Sequence, residues 1–324
     1  MPIGTKGAVK ALTSDELVDV GAEVILANTY HLWISGDEII KKAGGLHKFM
    51  NWQRPIMTDS GGYQAFSLKS KISEEGVAFR DEISGAQHLL TPEKSVEIQN
   101  NLGSDIQVVL DEFTGDINNY EKVKGTVERT TRWATRARKE FVNYAYAQKT
   151  NFLQYAVIQG GMFPDLRKQS ALELRELDFD GYCIGGVAVG GESSNEQYRA
   201  VEMSVPYLPE ARPRHLLGVG TPDQIIEAVK RGIDTFDCVI PTREARHGKV
   251  YVENSSFDIS HSSFKADFSS LDSSCDCEAC RYYTKAYLHH LFKSGEILAM
   301  RLLTLHNVRF YMRLMEKIRA DMVR

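Results

Sequence analysis

The chain has 324 residues, 43% of them apolar, 25% charged and 10% aromatic, which excludes disordered, collagen-like and coiled-coil classes. Its net charge of −4 excludes a protein that coats nucleic acid by bulk charge, and no apolar run approaches the roughly 18 residues of a membrane span. The start, Met1-Pro2-Ile3-Gly4-Thr5, lacks a basic n-region and an apolar h-region, so no secretory signal is expected and the cytoplasm is the expected compartment.

Met1 to Thr5 reads as the stub of a first strand. A helix follows over 12–21, with Ser14 as its expected N-cap. Apolar, β-rich runs then recur at 23–28, 55–59, 106–111, 154–159, 181–186, 214–218 and 235–240, the signature of strands buried on both faces. Between them the pattern predicts helices over 92–102, 122–146, 166–177 and 222–231, the last announced by Thr221-Pro222. Residues 68–90 alternate and carry turn residues, and read as an inserted hairpin. Residues 240–281 are Ser-rich and hold three cysteines; a stretch this long predicts a small inserted subdomain rather than a loop. Two helices close the chain over 282–324.

This βα alternation fits a doubly wound sheet or an eight-stranded barrel, with Met1 to Thr5 as the eighth strand. The strand ends favour the barrel. Nearly every run stops at a polar residue or glycine: Asn28, Asp59-Ser60-Gly61, Asp111-Glu112, Gln159-Gly160-Gly161, Gly185-Gly186 and Gly218. In a barrel these ends share one mouth. The expected organisation is a barrel over 1–240, a metal-binding insertion over 241–285, and C-terminal helices over 286–324.

Cys275, Cys277 and Cys280 are spaced C-x-C-x2-C. Three thiols within six residues make poor disulfides and good metal ligands. A fourth ligand would complete a closed, structural zinc site; His306, His289 and His290 are the candidates. Cys183 and Cys238 sit in apolar runs and read as core thiols.

Asp59, Asp111 and Asp237 each end an apolar run. A carboxylate there is costly unless paired or used. Two carboxylates at one mouth are the equipment of retaining glycosyl transfer, one attacking the anomeric carbon and the other handling the leaving group's proton. For Asp59, before Ser-Gly-Gly, helix capping is an alternative. Tyr63 offers a face for stacking, or is a structural tyrosine. Arg243, Arg246 and Lys249 follow Asp237 directly and suit a phosphodiester backbone. The residues from Cys238 on carry 13 Lys and Arg against 10 Asp and Glu, a balance of +3 that leaves −7 on the rest.

Taken together these segments resemble the tRNA-guanine transglycosylase family over essentially the whole chain. The residues that carry the resemblance are Val9-Lys10-Ala11-Leu12, Asn28-Thr29-Tyr30-His31-Leu32, Gly44-Gly45-Leu46-His47, Thr58-Asp59-Ser60-Gly61-Gly62-Tyr63-Gln64, Gly185-Gly186, Gly218-Val219-Gly220 and Phe236-Asp237-Cys238-Val239-Ile240-Pro241-Thr242-Arg243, with the cysteine cluster and His306. The resemblance implies a (β/α)8 barrel with a late zinc insertion and His306 as fourth ligand. It implies exchange of guanine at the tRNA wobble position, in GUN anticodons, for a free 7-deazaguanine base. Asp237 would attack ribose C1′ and Asp59 would act as general acid and base. Asp111 would read the base edge, Gln159, Gly186 and Val187 would contact the base, and Tyr63 would stack on it. Asn28, Ser60, Gly160 and Leu217 would complete the pocket, Arg243, Arg246 and Lys249 would hold tRNA, and the enzyme would work as a homodimer.

Three segments depart from family members that use the aminomethyl base. Here they read Asp111-Glu112-Phe113-Thr114-Gly115, Gln159-Gly160-Gly161 and Val189-Gly190-Gly191, so a Gln and a Glu give way to glycine. The expectation is more room and one carboxylate fewer, which favours queuine; Phe113, if it points inward, opposes that. The family also carries further residues at both ends, so an open barrel seam is expected at Met1. Two rival readings are a catalytically silent tRNA-binding partner subunit, disfavoured by the retention of Asp59 and Asp237, and a barrel glycosidase or nucleosidase acting on small substrates.

Overall fold

The computed structural model describes residues 1–68, 70–81, 84–187 and 193–322. The predicted runs form β1 (Ile3–Gly4), β2 (Ile25–Ala27) and β3 (Ile56–Thr58), then, after an excursion holding β4 (Lys71–Ile72), β5 (Val77–Arg80) and β6 (Gln87–Leu90), the strands β7 (Ile106–Val108), β8 (Leu153–Ile158), β9 (Gly181–Ile184), β10 (Arg214–Leu216) and β11 (Thr235–Phe236). Leaving out the excursion, the eight remaining strands pair in chain order in one sheet, and every ladder in it is parallel. Beyond β11, Cys238 bridges Pro2 in the parallel sense and its N–H donates to Met1 O at 3.4 Å. The sheet therefore curls until its last strand meets its first. The seam expected to stand open is bridged at Pro2, next to β1, so the eight parallel strands curl into a (β/α)8 barrel.

Helices follow the strands because the chain between them carries the right start signals. Thr13, not Ser14, caps the first helix: its hydroxyl accepts from Glu16 N at 3.2 Å while the Glu16 carboxylate accepts from Thr13 N at 2.8 Å, a reciprocal capping box. Ser14 instead donates to Met50 O at 2.7 Å. Thr221 caps Pro222–Lys230, with the proline in the first turn. The helix Thr29–Lys42 was hidden in sequence, because Gly36 (φ +108°) interrupts it. The buried strand residues Val108, Ala156, Ile184 and Leu216 pack with the surrounding helices into one core that includes Cys183; Cys183 and Cys238 are both buried and free.

The excursion is a three-stranded antiparallel sheet rather than a hairpin, since β5 pairs with both β4 and β6. It is tied to the helix Tyr120–Gln148 by Arg129 and Arg132 on Glu74, and by the Trp133 indole N–H on Glu74 O at 2.9 Å. After the barrel come the hairpin β12 (Lys249–Val252) and β13 (Ser255–Asp258) and the helices Glu278–Tyr282, Lys285–Lys293 and Ile297–Met322. Buried Asn307, on the last helix, accepts from Tyr251 N and donates to Lys249 O, locking hairpin to helix. No described helix is long and apolar enough to cross a membrane.

Candidate active site

At the C-terminal ends of the barrel strands lies a cavity of about 630 Å³, lined among others by Asn28, Asp59, Ser60, Tyr63, Asp111, Phe113, Gly186, Val187, Leu217, Asp237 and Arg243. This is the size of a small-ligand pocket. Three aspartates from separate strands converge on it, as the strand ends lead one to expect.

Register places Asp59. β2 and β3 pair Ala27 with Thr58, so the next residues, Asn28 and Asp59, lie side by side. Asn28 donates its side-chain N–H to Asp59 Oδ2 at 2.5 Å, while Asp59 Oδ1 accepts from Thr29 N at 2.9 Å and Gly61 N at 3.0 Å. Asp59 thus does assist the start of the helix Thr29–Lys42, and it also faces the cavity. Burial pushes its carboxyl up to about 7, the amides oppose this, and the charge of Asp237 adds to it. Gly61 (φ +77°) disfavours a side chain: the backbone would be strained, and a Cβ would crowd Tyr30 N at 3.1 Å.

Asp237 has a different neighbourhood. β10 and β11 pair His215 with Thr235, and Asp237, two residues on, projects to the same face. His215 is fully buried. Its Nε2 donates to Asp237 Oδ1 at 2.9 Å, its Nδ1 meets the Thr235 hydroxyl at 2.9 Å, and Gly218 N donates to the same Oδ1 at 3.1 Å. Burial pushes the Asp237 carboxyl up, but the His215 hydrogen bond and charge and the Gly218 amide outweigh it, and the group lies below its ordinary value. Sequence reading passed over His215; a histidine inside an apolar strand, two residues before the mouth, is the signal that could have found it.

Asp111 is the third carboxylate. The Gln159 side-chain N–H donates to its Oδ2 at 2.6 Å, and burial raises it to about 6 against that bond. Gln159 therefore serves Asp111 rather than standing alone. Gly160 lies behind this pair. Its φ is +143°, and a Cβ there would sit 2.6 Å from Arg167 N, so no side chain fits. Arg167 is fully buried and donates to Ile158 O at 3.0 Å, Gly161 O at 2.9 Å and Gly185 O at 3.0 Å. It ties the two glycine turns below the cavity together.

Tyr63 is half exposed at the rim, edge-on to Phe113 at 6.3 Å between centroids, so the structural reading of a buried tyrosine does not hold. Ser60 accepts from Gly62 N at 3.2 Å, and Leu217 and Val187 supply apolar wall. The segment Val189-Gly190-Gly191 lies outside the described residues. Of the basic cluster, Arg243 is exposed at the mouth; Arg246 is half buried and donates to Thr242 O at 2.7 Å; Lys249 pairs with Glu244 at 2.9 Å.

The fourth cysteine partner is also resolved. Cys275, Cys277, Cys280 and His306 are all buried, with their ligand atoms within 4.8 Å of one another. His306 Nε2 donates to Tyr251 O at 2.8 Å, which leaves the Nδ1 lone pair facing Cys280 Sγ at 3.2 Å and Cys277 Sγ at 3.7 Å. Such an outer partner fixes the tautomer a metal-binding imidazole needs. His289 is spent elsewhere, donating from Nδ1 to Ile259 O at 2.7 Å. Three thiols and one imidazole fit a closed, structural zinc site.

A family model described as queuine tRNA-ribosyltransferase matches residues 1–324. The queuine tRNA-ribosyltransferase of Thermoanaerobacter sp. strain X514 is 51% identical over 322 residues, which cover 98% of this chain and 84% of that protein. Those of Acetivibrio thermocellus and Actinobacillus succinogenes, with the same coverage of each chain, are 48% and 49% identical. On a match of this extent, with the barrel, the three mouth aspartates and the Cys3His cluster in place, the chain belongs to the queuine tRNA-ribosyltransferase family.

Proposed function

We propose that this chain is a tRNA-guanine transglycosylase that exchanges guanine at the wobble position of GUN-anticodon tRNAs for a free 7-deazaguanine base by double displacement. The observation that carries this reading is the pair Asp59 and Asp237: two carboxylates lining one cavity, one raised to about 7 and one lowered. Groups pushed apart in this way divide into acid and nucleophile.

Asp237, ionised, attacks ribose C1′; a C1′–O bond forms and the C1′–N9 bond breaks. The departing guanine takes its proton from Asp59. The incoming base then gives its N9 proton to Asp59 and attacks C1′, and the C1′–O bond to Asp237 breaks. Two inversions retain the configuration. Asp111, held by Gln159, accepts from the N1 and N2 edge of either base; Gly186 and Val187 line the pocket, and Tyr63 stacks on the base from the rim. The base must be unstacked from the anticodon loop to reach them, with Arg243 on a neighbouring phosphate and Arg246 and Lys249 nearby. Cys275, Cys277, Cys280 and His306 would hold a structural zinc, which would tie the insertion to the last helix. A second copy of the chain completes a homodimer on one tRNA.

Queuine is the favoured incoming base. The Glu expected in the aminomethyl pocket is Gly191 in sequence, which leaves one carboxylate fewer for an ammonium group; Phe113, which lines the cavity, counts against the bulkier base. The direct test is release of labelled guanine from a GUN-anticodon tRNA with queuine or the aminomethyl base as acceptor. Release driven by queuine supports the whole reading. Release driven by the aminomethyl base alone keeps the transfer and discards the preference, and no release with either discards the transfer.

A further inference from the structure

We propose that His215 is a positioning residue for the transfer: it holds Asp237 by Oδ1 and so leaves Oδ2 as the atom that joins and leaves ribose C1′. This rests on the reading of Asp237 as nucleophile.

Three observations converge. First, Oδ1 receives two donors, His215 Nε2 at 2.9 Å and Gly218 N at 3.1 Å, whereas Oδ2 takes no hydrogen bond among the described residues. The two oxygens are thus unequal, and Asp237 lines the cavity. Second, an ionised carboxylate can only accept, so Nε2 must carry the proton whatever the charge of the ring. The Thr235 hydroxyl at Nδ1, brought alongside by strand register, holds the ring in that orientation. Third, His215 is fully buried, so water cannot replace the bond it makes.

The chemistry that follows is specific to a nucleophile that must also depart. Donors on Oδ1 spread the negative charge that returns to the carboxylate when the C1′–O bond breaks, which speeds the second displacement. They also keep Asp237 ionised at the start, against its surroundings. The groups that face it are Asp59 from the end of β3, Cys183 from β9, Cys238 beside it, Arg243 on the following helix and the chain's amino group near β1. Of these, Asp59 and the burial itself oppose its charge.

The experiment compares the full chain with its His215→Leu, His215→Gln and Thr235→Val variants. Two readouts are taken: the denaturant-stable adduct with tRNA, and the pH profile of kcat/KM for guanine release. The wild type should hold its rate down to the ordinary carboxylate range. In His215→Leu the acid limb should move up by at least about one pH unit, with kcat lower on the order of tenfold to hundredfold. His215→Gln, which can donate from a similar place, should restore most of the rate and the acid limb. Thr235→Val, the milder change, should shift the limb in the same direction by less, and serves if His215→Leu does not fold. An acid limb unmoved in every folded variant overturns the proposal. An adduct that persists in Asp237→Asn overturns the underlying reading of the nucleophile instead.

Discussion

The ends of β3 and β11 carry the same residue type into the same cavity and treat it in opposite ways. At β3, Asp59 meets only neutral donors: the Asn28 amide and the N–H groups of Thr29 and Gly61. These do not offset burial, and the carboxyl rises to about 7. At β11, Asp237 meets an imidazole locked by Thr235, and its carboxyl falls below the ordinary value. Burial is common to both, so it does not decide the outcome. The partners do: the His215 ring, with the Gly218 amide and the nearby chain amino group, outweighs desolvation at Asp237, where the donors around Asp59 do not. The result is one group able to hold a proton near neutrality and one that stays ionised.

The largest break in this comparison comes from Asp237→Asn. It removes the attacking oxygen's charge, and exchange should fall by on the order of 10⁴-fold or more, with no adduct on a denaturing gel. Asp59→Asn keeps the nucleophile and loses the proton carrier; guanine release should fall on the order of 10²- to 10⁴-fold. The sign for the wild type follows from the raised group. Above about pH 7 Asp59 is ionised and cannot protonate guanine, so kcat/KM for tRNA should decline as pH rises through that value. That alkaline limb should be absent in Asp59→Asn. Asn28→Ala removes a donor that favours the ionised form, so the limb should move further alkaline, by about one unit. A limb that moves to lower pH would contradict the hydrogen bond's assigned direction.

The zinc cluster sharpens the contrast from outside the mouth. Its ligands come from the insertion and the last helix, and His306 anchors to Tyr251 O of β12. Cys280→Ser or strong chelation should lower the melting temperature by several degrees or more. In protein that stays folded, the alkaline limb should not move. A shifted limb without loss of stability would place the cluster in the chemistry.

Much of this was legible beforehand because it is written in local pattern. Apolar runs of strand length, each ending on Asp, Asn, Gln or Gly, revealed the barrel and its mouth, and the C-x-C-x2-C spacing revealed a metal site. The parts that stayed hidden depend on neighbours far apart in the chain. Spacing alone left three histidines for the cluster and only the resemblance chose His306; the fold bears that out, with His306 against the thiols and His289 against Ile259 O. His215 lies 22 residues before Asp237 and meets it only through the pairing of β10 with β11. The closure at Pro2 and Cys238 joins the two ends of the sheet, which no local pattern reports. The helix Thr29–Lys42 was missed for a local reason: Gly36 breaks the periodicity that would have marked it.

The opposed behaviour of the two carboxylates is most directly read by carboxyl ¹³C NMR, titrating Asp59 and Asp237 in selectively labelled protein with each assigned by its Asn variant. The account predicts that Asp59 titrates near 7 and Asp237 below the ordinary carboxylate value. Two carboxyls titrating together, or Asp237 above Asp59, would contradict it.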